Sequence, residues 1–107
     1  IKKIASMDMK NLVREAQKMQ FKMQQAQNDL EKEIVRGESG GGAVIVHSNC
    51  KGKVQKIKIN RNLVSADDDV EILEDLILVA LNDAKKKSEV KTASHMSSLG
   101  LPNNLAI

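Results

Sequence analysis

Aromatic side chains are almost absent from this 107-residue chain, which has one phenylalanine, Phe21, and no tryptophan or tyrosine. Modules that stack single-stranded bases on aromatic platforms, such as RRM and OB folds, are therefore excluded. Cys50 is the single cysteine, so no intrachain disulfide forms and we expect a reducing, cytoplasmic environment. No apolar run approaches the roughly 18 residues of a membrane-spanning helix, and no signal-peptide pattern is present, so we expect no membrane partner.

The overall composition is that of an ordinary folded protein, with 29% charged and 41% apolar residues. Its length predicts a single domain over residues 1–107, in which we expect residues 1–8 and 98–107 to be flexible tails. A core built from Leu, Ile, Val, Met and Ala in so short a chain has marginal stability. We therefore expect the chain to form an oligomer with itself.

A strict heptad pattern predicts the first long helix, from Met9 to Ile34, with Asp8 as its N-cap. Apolar residues alternate at spacings of three and four, at Met9, Leu12, Ala16, Met19, Met23, Ala26 and Leu30. This narrow seam predicts packing against another helix as in a coiled coil. Phe21 falls outside the seam, and the pattern leaves open whether it packs at an edge, contacts a partner chain or stays exposed.

Three short β-branched segments follow and predict an antiparallel meander. The strands are predicted at Ile34 to Ser39, Ala43 to Val46 and Val54 to Ile59, separated by turns at Gly40–Gly42 and Asn49–Gly52. In the third strand Ile57 and Ile59 alternate with Lys56 and Lys58, so one sheet face is apolar and the other is basic.

The second long helix is predicted to begin at a cap formed by Ser65 or Asp67 and to fray toward Ser97. The fold class is therefore α+β, in the order α-β-β-β-α. The apolar positions of the sheet and the second helix should form the core or a dimer interface, at Val44, Val46, Ile57, Ile59, Leu73, Leu76, Ile77, Ala80 and Ala84.

Charge is strongly segregated along the chain, although the net charge is only +3. Residues 40–62 contain five basic side chains and no acidic one, whereas residues 63–83 contain seven acidic side chains and no basic one. The order of elements predicts that the basic halves of both helices lie far from the sheet. Such clusters indicate phosphate binding, by Lys10, Arg14, Lys18, Lys22, Lys85, Lys86, Lys87 and Lys91, with Lys51, Lys53, Lys56 and Lys58 as weaker candidates.

Catalytic and metal-binding motifs are not apparent, so we predict no enzymatic activity, cofactor, metal or small-molecule ligand. The glycine run lacks the Gly-Lys-Ser/Thr signature and the helix of a phosphate loop. His47 and His95 have no partner at metal-ligand spacing. Lys51 could lower the pKa of the Cys50 thiol, but a nucleophile would also need a positioned base.

Several segments resemble the YbaB/EbfC family of nucleoid-associated proteins. They are Glu38-Ser39-Gly40-Gly41-Gly42 with Val44, Val46, Asn49 and Gly52; Leu73-Glu74-Asp75-Leu76-Ile77 with Ala80 and Asn82-Asp83-Ala84; the Gln- and Met-rich Met9 to Met23; and Leu99-Gly100-Leu101-Pro102. Asn60-Arg61 departs from the Asp-Pro that is common in the family.

The resemblance implies a homodimer with a continuous sheet and helices that project as tweezer-like arms. It implies double-stranded DNA binding by the distal helix parts, altered DNA conformation, and roles in nucleoid organisation and gene regulation in the bacterial cytoplasm. The alternative is a prefoldin-like chaperone or scaffold that binds proteins through its helical arms, because Met-rich seams suit varied apolar clients.

Overall fold

A helix, three strands and a second helix form the fold, in the order predicted from the sequence. The structure, a computed structural model, describes residues 2–63 and 69–102. Its elements are α1 (Lys2–Lys32), β1 (Ile34–Ser39), β2 (Val44–Asn49), β3 (Val54–Ile59), a short 3-10 helix (Arg61–Leu63) and α2 (Asp69–Ser98). The α-β-β-β-α prediction is confirmed.

Several predicted boundaries need correction. Helix α1 already includes Asp8, which therefore is not its N-cap, and it ends at Lys32 rather than at Ile34. Strand β2 continues to Asn49 because its pairing with β1 extends over all six residues. The proposed cap residues Ser65 and Asp67 lie outside the described residues.

The three strands form one antiparallel sheet in the order β1-β2-β3. The β1–β2 turn needs left-handed backbone, and Gly40, Gly41 and Gly42 all have positive φ angles, which glycine adopts without steric cost. Helix α2 packs along β1 and β2 on one face of the sheet. The third strand is mostly exposed, and Ile59 at its end is its one half-buried residue.

The main core lies between α2 and the sheet. It is centred on Val44, Val46, Ala80 and Ala84, and Ile59, Leu73, Leu76 and Ile77 pack around it. Of the predicted core or interface residues, only Ile57 is outside this cluster, with 45% of its surface exposed. It lies on the same face of β3 as Ile59, but no helix of the described part buries it.

A second cluster joins the C-terminal ends of the two helices. Ala26 and Leu30 of α1 pack against Met96 of α2 and against Leu101. Because Leu101 is buried, the chain up to this residue belongs to the fold, and only residues 103–107 of the predicted C-terminal tail lie outside the described part. The two chain directions are antiparallel here, since His95 pairs with Asp29 whereas Lys91, one turn earlier in α2, pairs with Glu33, four residues after Asp29.

Asn49 fixes the sheet to the end of α1. Its buried side chain donates to the carbonyl of Glu31 at 3.1 Å and accepts the backbone N–H groups of Lys51 and Lys53. The Cys50 N–H donates to the carbonyl of Leu30. These bonds satisfy the carbonyls that a helix C-terminus otherwise leaves unpaired, and they hold α1 in a defined direction.

Beyond this junction α1 projects alone. The described part of the molecule measures 79 × 17 × 17 Å, and every side chain from residue 8 to residue 22 is exposed. We call residues 8–22 the α1 arm. As one helix about 22 Å long, the arm presents all of its faces to solvent.

Candidate nucleic-acid interface

The α1 arm carries a stripe of four basic side chains at intervals of four residues. Because four residues slightly exceed one helical turn, the stripe winds slowly around the arm. Among the described residues, carboxylates form no ion pair with Lys10, Arg14 or Lys22, and Lys18 contacts Glu15 only at 3.8 Å between two exposed side chains. Such an exposed pair adds little stability. The arm charges are therefore available to an anionic partner.

The apolar seam of α1 is used over only part of its length. Its C-terminal residues Met23, Ala26 and Leu30 pack against the end of α2. Met9, Leu12 and Met19 on the arm remain exposed. The residues of the heptad pattern therefore pack against another helix near the sheet, whereas those on the arm form an exposed apolar row.

The lysines of α2 occupy a different position from the one predicted. We expected the C-terminal half of α2 to lie far from the sheet, and that prediction is wrong. This half runs along β1 and then onto the base of α1, because small residues at Gly37, Ala80 and Ala84 let the helix lie flat on the strand. The corresponding prediction for α1 is correct.

Two of the α2 lysines are paired with acidic groups. Lys87 Nζ lies 3.0 Å from Asp83 Oδ2 and donates to the Arg36 carbonyl, and Lys91 Nζ lies 2.9 Å from Glu33 Oε2. These pairs neutralise part of the basic cluster. Exposed Lys85 and Lys86 form no ion pair with a described carboxylate, so the cluster has two available cations beside the sheet.

The Asp83 carboxylate organises this part of α2. It accepts the backbone N–H of Glu38 at 2.9 Å as well as the ammonium of Lys87. Both hydrogen bonds favour the ionised form, with the Glu38 N–H as the larger cause, and they lower the pKa of Asp83 below its ordinary value of 3.8. Asp83 thus anchors β1 to α2 and holds Lys87 against the fold.

Asp83→Asn should destabilise the protein at neutral pH and lose this effect in acid. A lowered pKa in the folded state contributes stability above the ordinary pKa of 3.8, and this stability is lost as the pH falls through the lowered value. Urea midpoints of the wild type and variant should therefore differ at pH 7 and converge as the pH falls below the lowered pKa of Asp83. Equal midpoints at pH 7 would contradict the role of Asp83.

The sheet face opposite α2 carries a second basic surface. Arg36, His47 and Lys56 are direct neighbours across the three strands, and Lys58 is exposed two residues further along β3. An exposed sheet face is commonly polar. Because Arg36 pairs with Glu38 at 3.3 Å on this face, Lys56 and Lys58 are its main available cations.

The remaining polar residues do not assemble a metal centre within residues 2–63 and 69–102. In that part of the chain, His, Cys, Asp and Glu side chains form no cluster suited to a metal ion.

Burial raises the pKa of the Cys50 thiol, so the suggestion that Lys51 lowers it is wrong. His95 Nε2 lies 3.1 Å from Asp29 Oδ2 and joins the two helices. Neither described helix could span a membrane.

Sequence reasoning missed the environment of two groups. The i,i+4 spacing of Asp83 and Lys87 could have indicated their pairing, whereas the contact of Lys91 with Glu33 depends on the tertiary fold. Phe21 was left without a position. The structure places it on the α1 arm with 71% of its surface exposed.

Comparisons with known proteins agree with the resemblance. A solved structure of an uncharacterized protein from Helicobacter pylori has a TM-score of 0.70 at 25% identity, covering 82% of this chain and 91% of that one. A nucleoid-associated protein of Legionella pneumophila strain Corby is 47% identical over 83% of this chain and 78% of its own length. One of Clostridium novyi strain NT is 44% identical over 87% and 81%, respectively.

The model of the YbaB/EbfC DNA-binding family matches residues 5–102, which include the α1 arm, the sheet and all of α2. This range contains every segment on which the resemblance was based. The chain therefore belongs to the YbaB/EbfC DNA-binding family and is not an enzyme.

Proposed function

We propose that this protein is a nucleoid-associated protein that binds double-stranded DNA as a homodimer, mainly through phosphate contacts. The observation that carries this proposal is the α1 arm, a single exposed helix with basic side chains that are almost free of acidic partners. Cations at regular intervals on a helix match a phosphate backbone, and displacing its counterions supplies sequence-independent affinity.

The basic residues contribute unequally in this proposal. The arm residues Lys10, Arg14, Lys18 and Lys22 make the principal contacts, and Lys85 and Lys86 add a second contact nearer the sheet. Lys87 and Lys91 contribute less, because each must share its charge with a carboxylate about 3 Å away.

A homodimer is supported by the exposed edge of the sheet. Strand β3 is an edge strand of the described sheet, and Ile57 on its apolar face is 45% exposed in the described part of the chain. An edge strand offers unpaired backbone groups to another strand, and pairing two copies would create a larger, continuous sheet. Two α1 arms would then grip one duplex and alter its conformation, which is the basis for a role in nucleoid organisation and gene regulation.

The names of the Legionella and Clostridium relatives place those proteins at the nucleoid, and we propose the same cytoplasmic location here. Binding to a duplex should weaken steeply with salt, by about 1000-fold or more between 50 and 200 mM if six or more phosphates are contacted. Fluorescence anisotropy with scrambled-sequence duplexes measures this dependence. Affinity that barely changes over this range would exclude phosphate contacts as the main source of binding.

Chaperone activity is the second candidate, and the exposed seam residues Met9, Leu12 and Met19 favour it. A holdase would suppress aggregation of an unfolded client protein and ignore duplex DNA. We expect the reverse, because the same arm also carries a stripe of exposed basic side chains that are almost free of acidic partners. Light scattering of a heat-denatured client, measured beside the anisotropy titration, separates the two functions.

A further inference from the structure

Phe21 is the most exposed of the large apolar side chains in the described part of the chain, at 71%. A single exposed apolar residue is ordinary on a protein surface, so its exposure alone has no functional meaning. Its position on the α1 arm is informative, because the two long sides of this helix differ in chemistry.

Phe21 points away from the apolar seam. It follows Leu12 by about two and a half helical turns, which places the two side chains on opposite sides of α1. The seam side is the one that packs against Met96 and Leu101 near the sheet. A helix that continued this packing along the arm would therefore leave Phe21 uncovered.

Phe21 instead shares its side of the arm with basic and amide groups. Arg14 precedes it by about two turns, Gln17 and Lys18 by about one turn, and Gln25 follows by about one turn. All of these side chains are exposed. A partner that neutralises Arg14 and Lys18 must therefore meet the phenyl ring as well.

The shape of the arm selects the groove of DNA that it can enter. A single α-helix with its side chains is about 10–12 Å wide, which fits the roughly 12 Å major groove but not the minor groove. The apolar group that the major groove displays is the C5-methyl of thymine, whereas the amides of Gln17 and Gln25 match the hydrogen-bonding edge of adenine.

We propose that Phe21 contacts thymine methyl groups in the major groove and gives this protein a preference for A·T-containing DNA. This inference rests on the proposed DNA binding by the α1 arm. The phosphate contacts proposed above do not distinguish one DNA sequence from another, whereas the contact of Phe21 does. The cations set the affinity for any duplex, and Phe21 changes the ratio between duplexes.

The test removes the methyl group and the ring separately. Full-length wild type, Phe21→Ala, Phe21→Leu and Leu12→Ala are titrated with two A·T-rich duplexes that are identical except that one contains thymidine and the other deoxyuridine. Leu12→Ala is the matched control, since it removes an exposed apolar side chain (66%) from the opposite side of the arm.

Wild type should bind the thymidine duplex about fourfold more tightly for each contacted methyl group. Phe21→Ala should bind both duplexes equally, Phe21→Leu should keep part of the preference, and Leu12→Ala should keep the wild-type ratio. Circular dichroism checks that each variant is folded.

The outcomes separate this inference from the proposed function. If wild type binds both duplexes with the same affinity, or if Phe21→Ala retains the wild-type ratio, the assignment of Phe21 is overturned while DNA binding stands. If wild type binds neither duplex, the proposed function itself is overturned. Loss of client-protein binding by Phe21→Ala, with unchanged DNA affinities, would assign the ring to a protein partner instead.

Discussion

Gly37→Ala should cost about 3 kcal/mol or more of unfolding free energy. A Cβ on Gly37 would lie 2.7 Å from the Cβ of Ala84 and would collide with the Ala80 carbonyl oxygen and the Ala84 backbone nitrogen. Two of these three atoms belong to the α2 backbone, so no side-chain rotation relieves the overlap. Strand β1 and helix α2 would have to separate, which would open the main core beside Val46.

Urea unfolding at one protein concentration measures this effect, since the stability of a dimer depends on concentration. Gly41→Ala is the matched control. A Cβ there meets no atom within 4 Å, and only the positive φ of +67° opposes alanine, at a cost of about 1 kcal/mol. If Gly37→Ala unfolds at the same urea concentration as wild type, the close approach of β1 and α2 is wrong.

Neutralising the α1 arm should weaken duplex binding about 1000-fold at 0.1 M salt, which corresponds to about 4.1 kcal/mol. The variant carries Lys10→Gln, Arg14→Gln, Lys18→Gln and Lys22→Gln. Because all four side chains are exposed on a helix whose arm packs against nothing else in the described chain, the folded structure should persist. Anisotropy titrations with several unrelated duplexes should show the same loss on each.

A second variant controls for the change in net charge. Lys51→Gln, Lys53→Gln, Lys56→Gln and Lys58→Gln together remove the same four charges from the sheet and its turn. This variant should weaken binding only a fewfold, through the general electrostatic field. If it loses as much affinity as the arm variant, or more, DNA is bound by the exposed sheet face and the assignment to the arm is incorrect.

Local sequence patterns predicted most of the fold because each segment has one dominant periodicity. The heptad from Met9 to Leu30 and the alternation from Val54 to Ile59 identified a helix and a strand correctly. The predicted end of a strand was wrong where hydrogen bonding to a neighbouring strand outweighs intrinsic β-propensity. In β2, the polar residues His47 to Asn49 continue the strand because they pair with residues of β1.

The direction of α2 was not predictable from periodicity. Nothing in the helical pattern shows that Gly37 lets Ala80 and Ala84 approach β1, and this contact turns the basic half of α2 back along the sheet. The availability of each lysine was likewise unpredictable, since the Glu33 partner of Lys91 lies on another element. The position of the α1 arm far from the sheet was predictable from the order of the elements. Its exposed apolar row was not, because the heptad pattern predicts helix packing along the whole seam, whereas Met9, Leu12 and Met19 are exposed.

The salt dependence of duplex binding tests most directly whether the cations of the α1 arm, rather than those of the sheet, contact the phosphates. Each lost phosphate contact reduces the magnitude of the slope of log affinity against log salt by about 0.9. In a dimer of the arm variant, the slope should therefore be smaller in magnitude than that of wild type by at least about 3. The sheet variant should nearly retain the wild-type slope. An arm variant whose slope equals that of wild type would show that these four side chains do not contact the phosphates.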